Sequence, residues 1–559
     1  MTRDAAAEPD AIGVANAAPG HGPSAILARP VMTVAPGPSP SMNRHAKSPT
    51  SRPPGRPIAA PPALPRLAEA AATIAVVALA LVSAARLMEQ AGRARLYTDE
   101  CFHAYVAEWI ASHHRLPDVL PELYSGFSYY YPPLFHLLGA AWVLLAGTAS
   151  LAQLNVALFA LLLASLAWLP VPGLAAAPRR WAALLCIANG WLALYAVRFY
   201  VEMLISTLVL LAALLLWRLA RTLRTRDAVW LGVASGLALI AKHTALVLPA
   251  VLAGLAIVAA LRRQRAALRC WLLTLGIALA IALPYFVRNQ LRFGSPIYPA
   301  FARDTHELVW KLNLAKFGLP AAEFYRSSLS AIGPWVLAMT AAALVLAALR
   351  RRLTLPAGLA IGGLVVFALG AAAPLHDVRH VTPLIAVLAI AASARVWDAA
   401  SRRAWVAWTI EAGLLLVAIV AVTRLGDLRR DVDLPPGLEQ AYAAARQRAP
   451  ADGTILSLWT YDTFYYTRIR ATWPIPWAQR EHPVELFYEK DPQRFDALLR
   501  RYGIDLMFVP RTRPPAEFDG ANYPASFVDC VVALIDQGAL VVLWKTDRLA
   551  LVGRPGAER

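Results

Sequence analysis

Apolar runs of roughly twenty residues, the length at which a helix crosses the hydrocarbon of a bilayer, recur along most of this chain between short polar breaks. They predict membrane helices over 68–88, 151–174, 181–196, 201–220, 228–241, 244–261, 271–287, 331–349, 353–373, 381–394 and 405–422. A further apolar stretch, 133–146, is short for a crossing and follows Pro132 and Pro133, which suit a helix start where backbone donors are free anyway. It is expected to be re-entrant or to lie at the interface. After Arg424 the pattern changes to short apolar strands at 455–459 and 504–509, an amphipathic helix at 491–502, and an antiparallel pair, 540–544 with 549–552. Strands alternating with helices predict a small α/β domain over 425–559. Residues 1–66 are rich in Pro, Ala and Ser without periodicity, and cannot bury enough surface to order themselves. They read as a disordered cytoplasmic tail or an over-long start, and not as a signal peptide, because the first apolar run begins near Leu67.

Composition agrees with a membrane protein: 58% of the 559 residues are hydrophobic and mean hydropathy is +0.48. The net charge of +18 sits in clusters at 179–180, 218–226, 262–269, 350–352 and 395–403, between alternate runs. That is the positive-inside signature of cytoplasmic loops, so nucleic-acid binding is the weaker reading of the charge. With those clusters inside, the outward connections are the loop 89–132, residues 198–202, Lys242-His243, 288–330, 376–380 and everything after Arg424. Nearly every unusual polar residue then falls on one face, which implies a single outward site. The four cysteines, Cys101, Cys186, Cys270 and Cys530, have neither metal-ligand spacing nor a disulfide framework, although Cys101 and Cys530 share a side and could meet. Glycine-rich nucleotide motifs are absent.

The candidate chemistry begins at Tyr97-Thr98-Asp99-Glu100, just past the first run. Two carboxylates there can simply favour a helix N-terminus, with the helix running to about His114. Its apolar residues Phe102, Tyr105, Val106, Trp109 and Ile110 form a stripe suited to the headgroup plane. Glu202 opens a run directly after Arg198-Phe199-Tyr200, and is expected either to pair with Arg198 at helical spacing or to serve as a second acidic site. Lys242 and His243 stand between two runs with too few residues for a loop. Lys242 either snorkels or holds a phosphate, and Arg379, between His376-Asp377 and His380, poses the same choice. Acids and bases on one face suit transfer of a sugar carried on a lipid phosphate. Phosphate departs without a proton donor, one carboxylate deprotonates the acceptor, and cations neutralise the leaving group; a single displacement inverts the sugar.

The order of features carries a resemblance. An acidic pair follows the first span, then an aromatic-Pro-Pro-Leu segment (129–134), Glu202 opening a later span, a Gly-rich span ending in Lys (232–242), and an Arg-Asn…Gly-Ser-Pro-Ile-Tyr-Pro loop (288–299). From Leu67 to the C-terminus this resembles the GT-C membrane glycosyltransferases, near the family 39 relatives of protein O-mannosyltransferases and the lipid A aminoarabinose transferases. The resemblance implies a mainly α, polytopic helical bundle of about eleven spans with interface helices (67–424) and a C-terminal extracytoplasmic α/β domain. It implies Asp99 as catalytic base, Glu100 supporting it, and Glu202 as the second acidic residue. Lys242 and Arg379 would hold the lipid phosphate, with Arg198 and Arg288 as further cations; Tyr131, His103 and His243 are candidate substrate contacts. A divalent metal, if one is used, would fall to Asp99 and Glu202. Tyr131 stands where the aminoarabinose transferases carry Lys before Pro-Pro, which moves phosphate binding to other cations and argues against lipid A as acceptor. The implied partners are a polyprenyl-phosphate sugar, a protein, glycan or lipid acceptor, and the bilayer, with no nucleic acid; the implied place is the inner membrane, with the site on its periplasmic side. The loop 288–330, with Trp310, Phe317 and Tyr325, is expected to be a lid for lipid or acceptor access, and the aromatic stretch 459–477 either an acceptor contact or domain core. A flippase would gather charge at mid-membrane, whereas here it gathers at span ends. A non-catalytic scaffold would not need Asp99 and Glu202.

Overall fold

The computed structural model describes residues 63–93, 95–123, 127–298, 321–350, 354–370, 378–426, 428, 437–450, 452–472, 485–511 and 523–556. All eleven apolar runs fall on helices, though not as eleven unbroken spans. Seven helices among the described residues are long and apolar enough to cross a membrane: Leu67–Arg93, Thr148–Trp168, Val201–Thr222, His243–Leu261, Arg265–Phe293, Val378–Ala400 and Ala404–Thr423. A further apolar pair, Ala322–Ile332 and Pro334–Leu349, is bent by 93° at its break. The other three runs are Thr225–Leu239, Leu355–Gly370, and a pair of short helices, Ala176–Ile187 and Gly190–Ala196. This is a multi-pass membrane protein.

The two breaks explain each other. Asn189 ends one short helix and caps the next, its side chain accepting from Leu192 N at 2.8 Å while donating to Ala331 O and Ile332 O at 3.1 and 3.0 Å. Gly333 sits at the bend with φ 85°, a backbone state that favours glycine. One buried amide thus satisfies the loose backbone of both broken helices. Within the bundle, 72% and 78% of the apolar windows of Val201–Thr222 and Val378–Ala400 are buried, against 11% for Leu67–Arg93, so the first two form the centre and the last faces lipid.

Thr225–Leu239 approaches Arg265–Phe293 at unusually short range, and the reason is two glycines four residues apart. A Cβ at Gly232 would lie 2.8 Å from Ile277 Cβ and Thr274 O, and one at Gly236 2.8 Å from Ile281 Cβ. The Thr274 hydroxyl uses the proximity to donate to Ala228 O at 3.1 Å. This contact seats the helix that leads into Lys242 against its neighbour.

The helix Asp99–His113 departs from expectation. Its stripe does not lie in the headgroup plane: Phe102, Tyr105, Val106 and Ile110 are buried against Tyr129, Tyr130 and Ala140, and against Phe464 and Ala471 from the C-terminal part. The apolar face is covered by protein because the chain after residue 424 folds back onto it. Along Asp99–His113 packs the helix Leu134–Ala146, which contributes Ala140 to that cluster and is seated closely because Gly139 leaves room for Phe199 and Ala107. That helix, at 13 residues, is about 20 Å long, short of the hydrocarbon thickness. Between the two, β1 (Val119–Leu120) and β2 (Phe127–Ser128) pair antiparallel.

The C-terminal part is a five-stranded mixed sheet flanked by helices. Its strands are β3 (Thr454–Leu456), β4 (Arg470–Thr472), β5 (Leu506–Pro510), β6 (Val541–Lys545) and β7 (Leu549–Gly553), in the order β4-β3-β5-β7-β6. β3 runs parallel to β4 and β5, and β7 antiparallel to β5 and β6, as the hairpin pattern predicts. Cys101 and Cys530 do not meet; both are free and buried. Most of the tail 1–66, Trp310, Phe317, His376 and Asp377 lie outside the described residues.

The glycine contact makes the first prediction. Gly236→Leu must separate two packed helices, and overpacking of that kind costs about 1–3 kcal/mol. The expected outcome is a thermal unfolding midpoint in detergent several degrees below wild type, while Gly254→Leu, whose Cβ meets nothing within 4 Å, leaves it unchanged.

Candidate active site

Tyr97–Glu100 forms a tight turn, closed by Glu100 N donating to Tyr97 O at 3.2 Å. Its second residue, Thr98, has φ 55° and ψ −126°, the type II′ geometry that normally calls for glycine. Strain of this kind costs about 1–3 kcal/mol and persists where neighbours enforce it. Here the Thr98 hydroxyl meets Tyr200 OH at 2.7 Å and Thr98 N donates to Asp462 Oδ1 at 2.6 Å. The turn points the two acidic side chains in opposite directions.

Asp99 faces a cavity of about 380 Å³, lined also by His103, Tyr131, His136, Glu202, Lys242, His243, Arg379 and His380. Arg379 Nη1 donates to Asp99 Oδ2 at 2.6 Å and its Nε lies 3.9 Å from Glu202 Oε1. Lys242 Nζ reaches the same Glu202 oxygen at 2.5 Å. The Arg379 guanidinium also rides over the Tyr200 ring, 5.8 Å from its centroid. Two carboxylates and two cations, from four separate segments, thus form one continuous network. Glu202 is 1% exposed, so its charge is tolerable only because cations accompany it.

Glu100 does not line the cavity. It turns inward, accepting Phe199 N at 2.7 Å and Tyr97 N at 3.2 Å. Burial pushes its carboxyl up to about 7, against the opposing pull of the Arg198 charge and the two N–H groups. His103 sits on the cavity wall with Nδ1 2.8 Å from His136 Nε2, and His136 Nδ1 lies 2.9 Å from Tyr129 OH. Burial holds the His103 imidazole at about 4, hence neutral, although Asp99 and Glu202 draw it upward. Tyr285 donates its proton to Tyr130 O at 2.7 Å, so His243 Nε2 must be the donor in its 2.7 Å contact with Tyr285 OH. Tyr131 stacks on Tyr130 at 4.9 Å beside Phe102.

Two expected cations lie elsewhere. Arg198 stands near Glu100 rather than on the cavity wall, and Arg288 donates to Pro117 O at 3.3 Å while covering the Tyr129 ring. Nor does Arg198 pair with Glu202. The helix begins at Val201, so Arg198 is in unwound chain and the four-residue spacing has no helical meaning. That unwound chain is held by Asn155, whose amide donates to Tyr200 O at 2.7 Å and also to Arg198 O. Asn155, His136, Tyr200 and Asp462 escaped the sequence reading; an isolated Asn inside an apolar run was a usable signal, the others were not.

The residues do not fit a divalent metal. Among the described residues no three His, Cys, Asp or Glu converge as ligands, and a cation already stands between the two carboxylates: Arg379 bridges Asp99 and Glu202, with Lys242 also on Glu202.

A family model described as a domain of unknown function (DUF8201) matches residues 181–327. No curated protein matches the chain. Solved structures do. ArnT from Cupriavidus metallidurans, crystallised with undecaprenyl phosphate, aligns with TM-score 0.58 and 15% identity, over 86% of this chain and 98% of its own. The archaeal oligosaccharyltransferase AglB from Archaeoglobus fulgidus, in complex with an inhibitory peptide and a dolichol-phosphate, aligns with TM-score 0.57 and 12% identity, over 82% and 72%. The chain has the GT-C fold of membrane glycosyltransferases. Within this fold the network of Asp99, Arg379, Glu202 and Lys242 is built where the Asp99 helix meets the ends of the membrane helices, and among the described residues none after His380 lines its cavity.

Two predictions follow from burial. Glu100 has its folded value near 7 and an ordinary value of 4.5, so its contribution to stability is full below about pH 4.5 and is lost as pH rises to about 7. Glu100→Gln removes that titration: its unfolding midpoint relative to wild type should improve from pH 5 to about pH 7 and level off above it. Lys242→Met leaves Glu202 with Arg379, 3.9 Å away, as its remaining ion-pair partner among the described residues, and should cost about 3 kcal/mol. The double variant Lys242→Met/Glu202→Gln should regain most of that loss in a detergent unfolding assay.

Proposed function

We propose that this protein is an inverting glycosyltransferase of the inner membrane, moving a sugar from a polyprenyl-phosphate donor to an acceptor on the periplasmic side. The observation that carries the reading is a single cavity holding one half-exposed carboxylate, Asp99, beside two cations, Arg379 and Lys242. That is the equipment the reaction needs: a base for the acceptor and positive charge for the departing phosphate. The likeness to folds crystallised with undecaprenyl phosphate and dolichol-phosphate supports the same donor class.

In the proposed step Asp99 takes the acceptor proton as the acceptor atom attacks the anomeric carbon. The carbon–oxygen bond to phosphate breaks on the opposite face, its electron pair leaves with the phosphate, and the sugar is inverted. Arg379 and Lys242 stabilise that phosphate, Arg379 through a planar fork suited to two oxygens. Glu202 holds both cations in place. Tyr131 and His103, on the same wall, are positioned to touch the sugar, whose identity as hexose or pentose the wall residues select.

The test is release of polyprenyl phosphate by the purified full-length protein from a panel of polyprenyl-phosphate sugars. Asp99→Asn should lower the rate by about 10²–10⁴ with donor binding retained, the range for loss of a general base. Equal rates for Asp99→Asn and wild type would remove Asp99 from the chemistry. Donor binding without release of lipid phosphate by the wild type, across acceptor-containing membrane extracts, would remove the transferase reading itself.

A further inference from the structure

Asp462 stands out as a buried carboxylate, 1% exposed, that lines no part of the cavity and forms no ion pair among the described residues. It lies in the first turn of the helix Thr460–Thr467, in the C-terminal part, and is 364 residues from the group it grips. Its Oδ1 accepts Thr98 N at 2.6 Å and the Cys101 thiol at 3.3 Å. Those are the residue before Asp99 and a residue in the first turn after it. A β-branched residue has no reason of its own to adopt φ 55° and ψ −126°. Relaxed to an extended conformation, Thr98 would swing the start of the helix, and Asp99 would lose its 2.6 Å contact with Arg379. A carboxyl oxygen fixed in the first turn of a packed helix gives that part-buried backbone N–H a well-directed acceptor, whose loss leaves the donor unsatisfied.

We infer that Asp462 is a positioning residue for the transfer reaction: it clamps Thr98 in its left-handed conformation and so aims Asp99 into the cavity. The inference rests on the reading of Asp99 as base. The clamp is separable from docking. The same short helical region holds the acidic helix at another point, with Tyr465 OH donating to Glu108 Oε1 at 2.8 Å and Arg468 to Glu108 Oε2 at 2.8 Å, and the chain before the turn through Tyr466 OH donating to Leu96 O at 2.6 Å. Loss of one of those bonds weakens the interface without freeing the turn.

Two readouts on the full-length protein test this. In steady-state transfer, Asp462→Ala should lower kcat at least tenfold with the donor KM within about threefold, since the cations that bind phosphate are untouched. Asp462→Asn, which keeps an acceptor for Thr98 N, should recover most of the loss. Adding Thr98→Gly, which takes the turn geometry without strain, should recover part of it. Arg468→Ala should leave kcat near wild type. A wild-type kcat in Asp462→Ala, or equal losses in Asp462→Ala and Arg468→Ala, would overturn the inference. The second readout needs no turnover: alkylation of Cys101, followed by peptide mass spectrometry, should rise about tenfold in Asp462→Ala and return to the wild-type rate in Asp462→Asn. If no donor turns over, the transferase reading fails alone, and the alkylation result still decides whether Asp462 holds the turn. Unchanged alkylation in folded Asp462→Ala would sink it.

Discussion

A carboxylate buried at the edge of a membrane bundle has to be neutralised, and in this protein that requirement organises the site. Glu202 opens one of the two central apolar helices and is buried. Its neutralising cations arrive from two other places, Lys242 at the end of the Gly232/Gly236 helix and Arg379 from the turn before the Thr382–Ala400 helix. Each must reach within ion-pair distance, so the close glycine contact on one side and the central helix pair on the other are set by the same constraint. Arg379 then has charge to spare, and Asp99 receives it. The cavity is what remains between these anchored groups.

The C-terminal part has a second, quieter role. The helix bearing Asp99 carries a full apolar stripe that the bilayer surface could have covered, yet Phe464 and Ala471 cover it instead. Lipid contact would leave that helix free to roll about its axis. Protein contact through the packed side chains of Phe464 and Ala471 fixes its rotation. Burial also lifts Asp462 to about 7, matching Glu100 beside it. The rear of the acidic turn is thus a low-dielectric region in which carboxyls charge reluctantly, while the front, at Asp99, opens to the cavity.

The membrane helices were legible because bilayer thickness imposes a length, and the hairpin after residue 540 because period-two alternation imposes a strand. Asp99, Glu202, Lys242 and Arg379 were legible for a related reason: ionisable groups at the ends of apolar runs are costly and need a purpose. What could not be read was pairing. Glu202 invited Arg198 by spacing, but helical spacing has meaning only inside a helix, and Asn155 unwinds the chain there. The stripe of the acidic helix was read correctly as apolar and wrongly as lipid-facing, since no local pattern distinguishes lipid from a distant domain. Arg288 looked like a phosphate ligand by charge alone; its guanidinium is committed to Tyr129 and the Pro117–Asp118 chain.

Charge accounting gives the network its sense in the proposed reaction. Asp99 and Glu202 against Arg379 and Lys242 sum to zero, so the site rests neutral around an incoming donor. A polyprenyl-phosphate sugar brings a phosphodiester with one negative charge, and its cleavage leaves a monoester with two. In the same event Asp99 accepts a proton and loses its charge. Arg379, bound to Asp99 before the step, is released from that pairing when the phosphate gains its second charge. The cation need not travel far, because it already lies between Asp99 and Glu202. Lys242 is held by Glu202 throughout and supplies constant positive charge. A base that shared no cation with the leaving group would have to build one charge and discharge another independently in a poorly solvated cavity. In the proposed reaction, linking them through one guanidinium makes proton transfer and phosphate departure mutually favourable, a coupling that an unpaired Asp99 would lack.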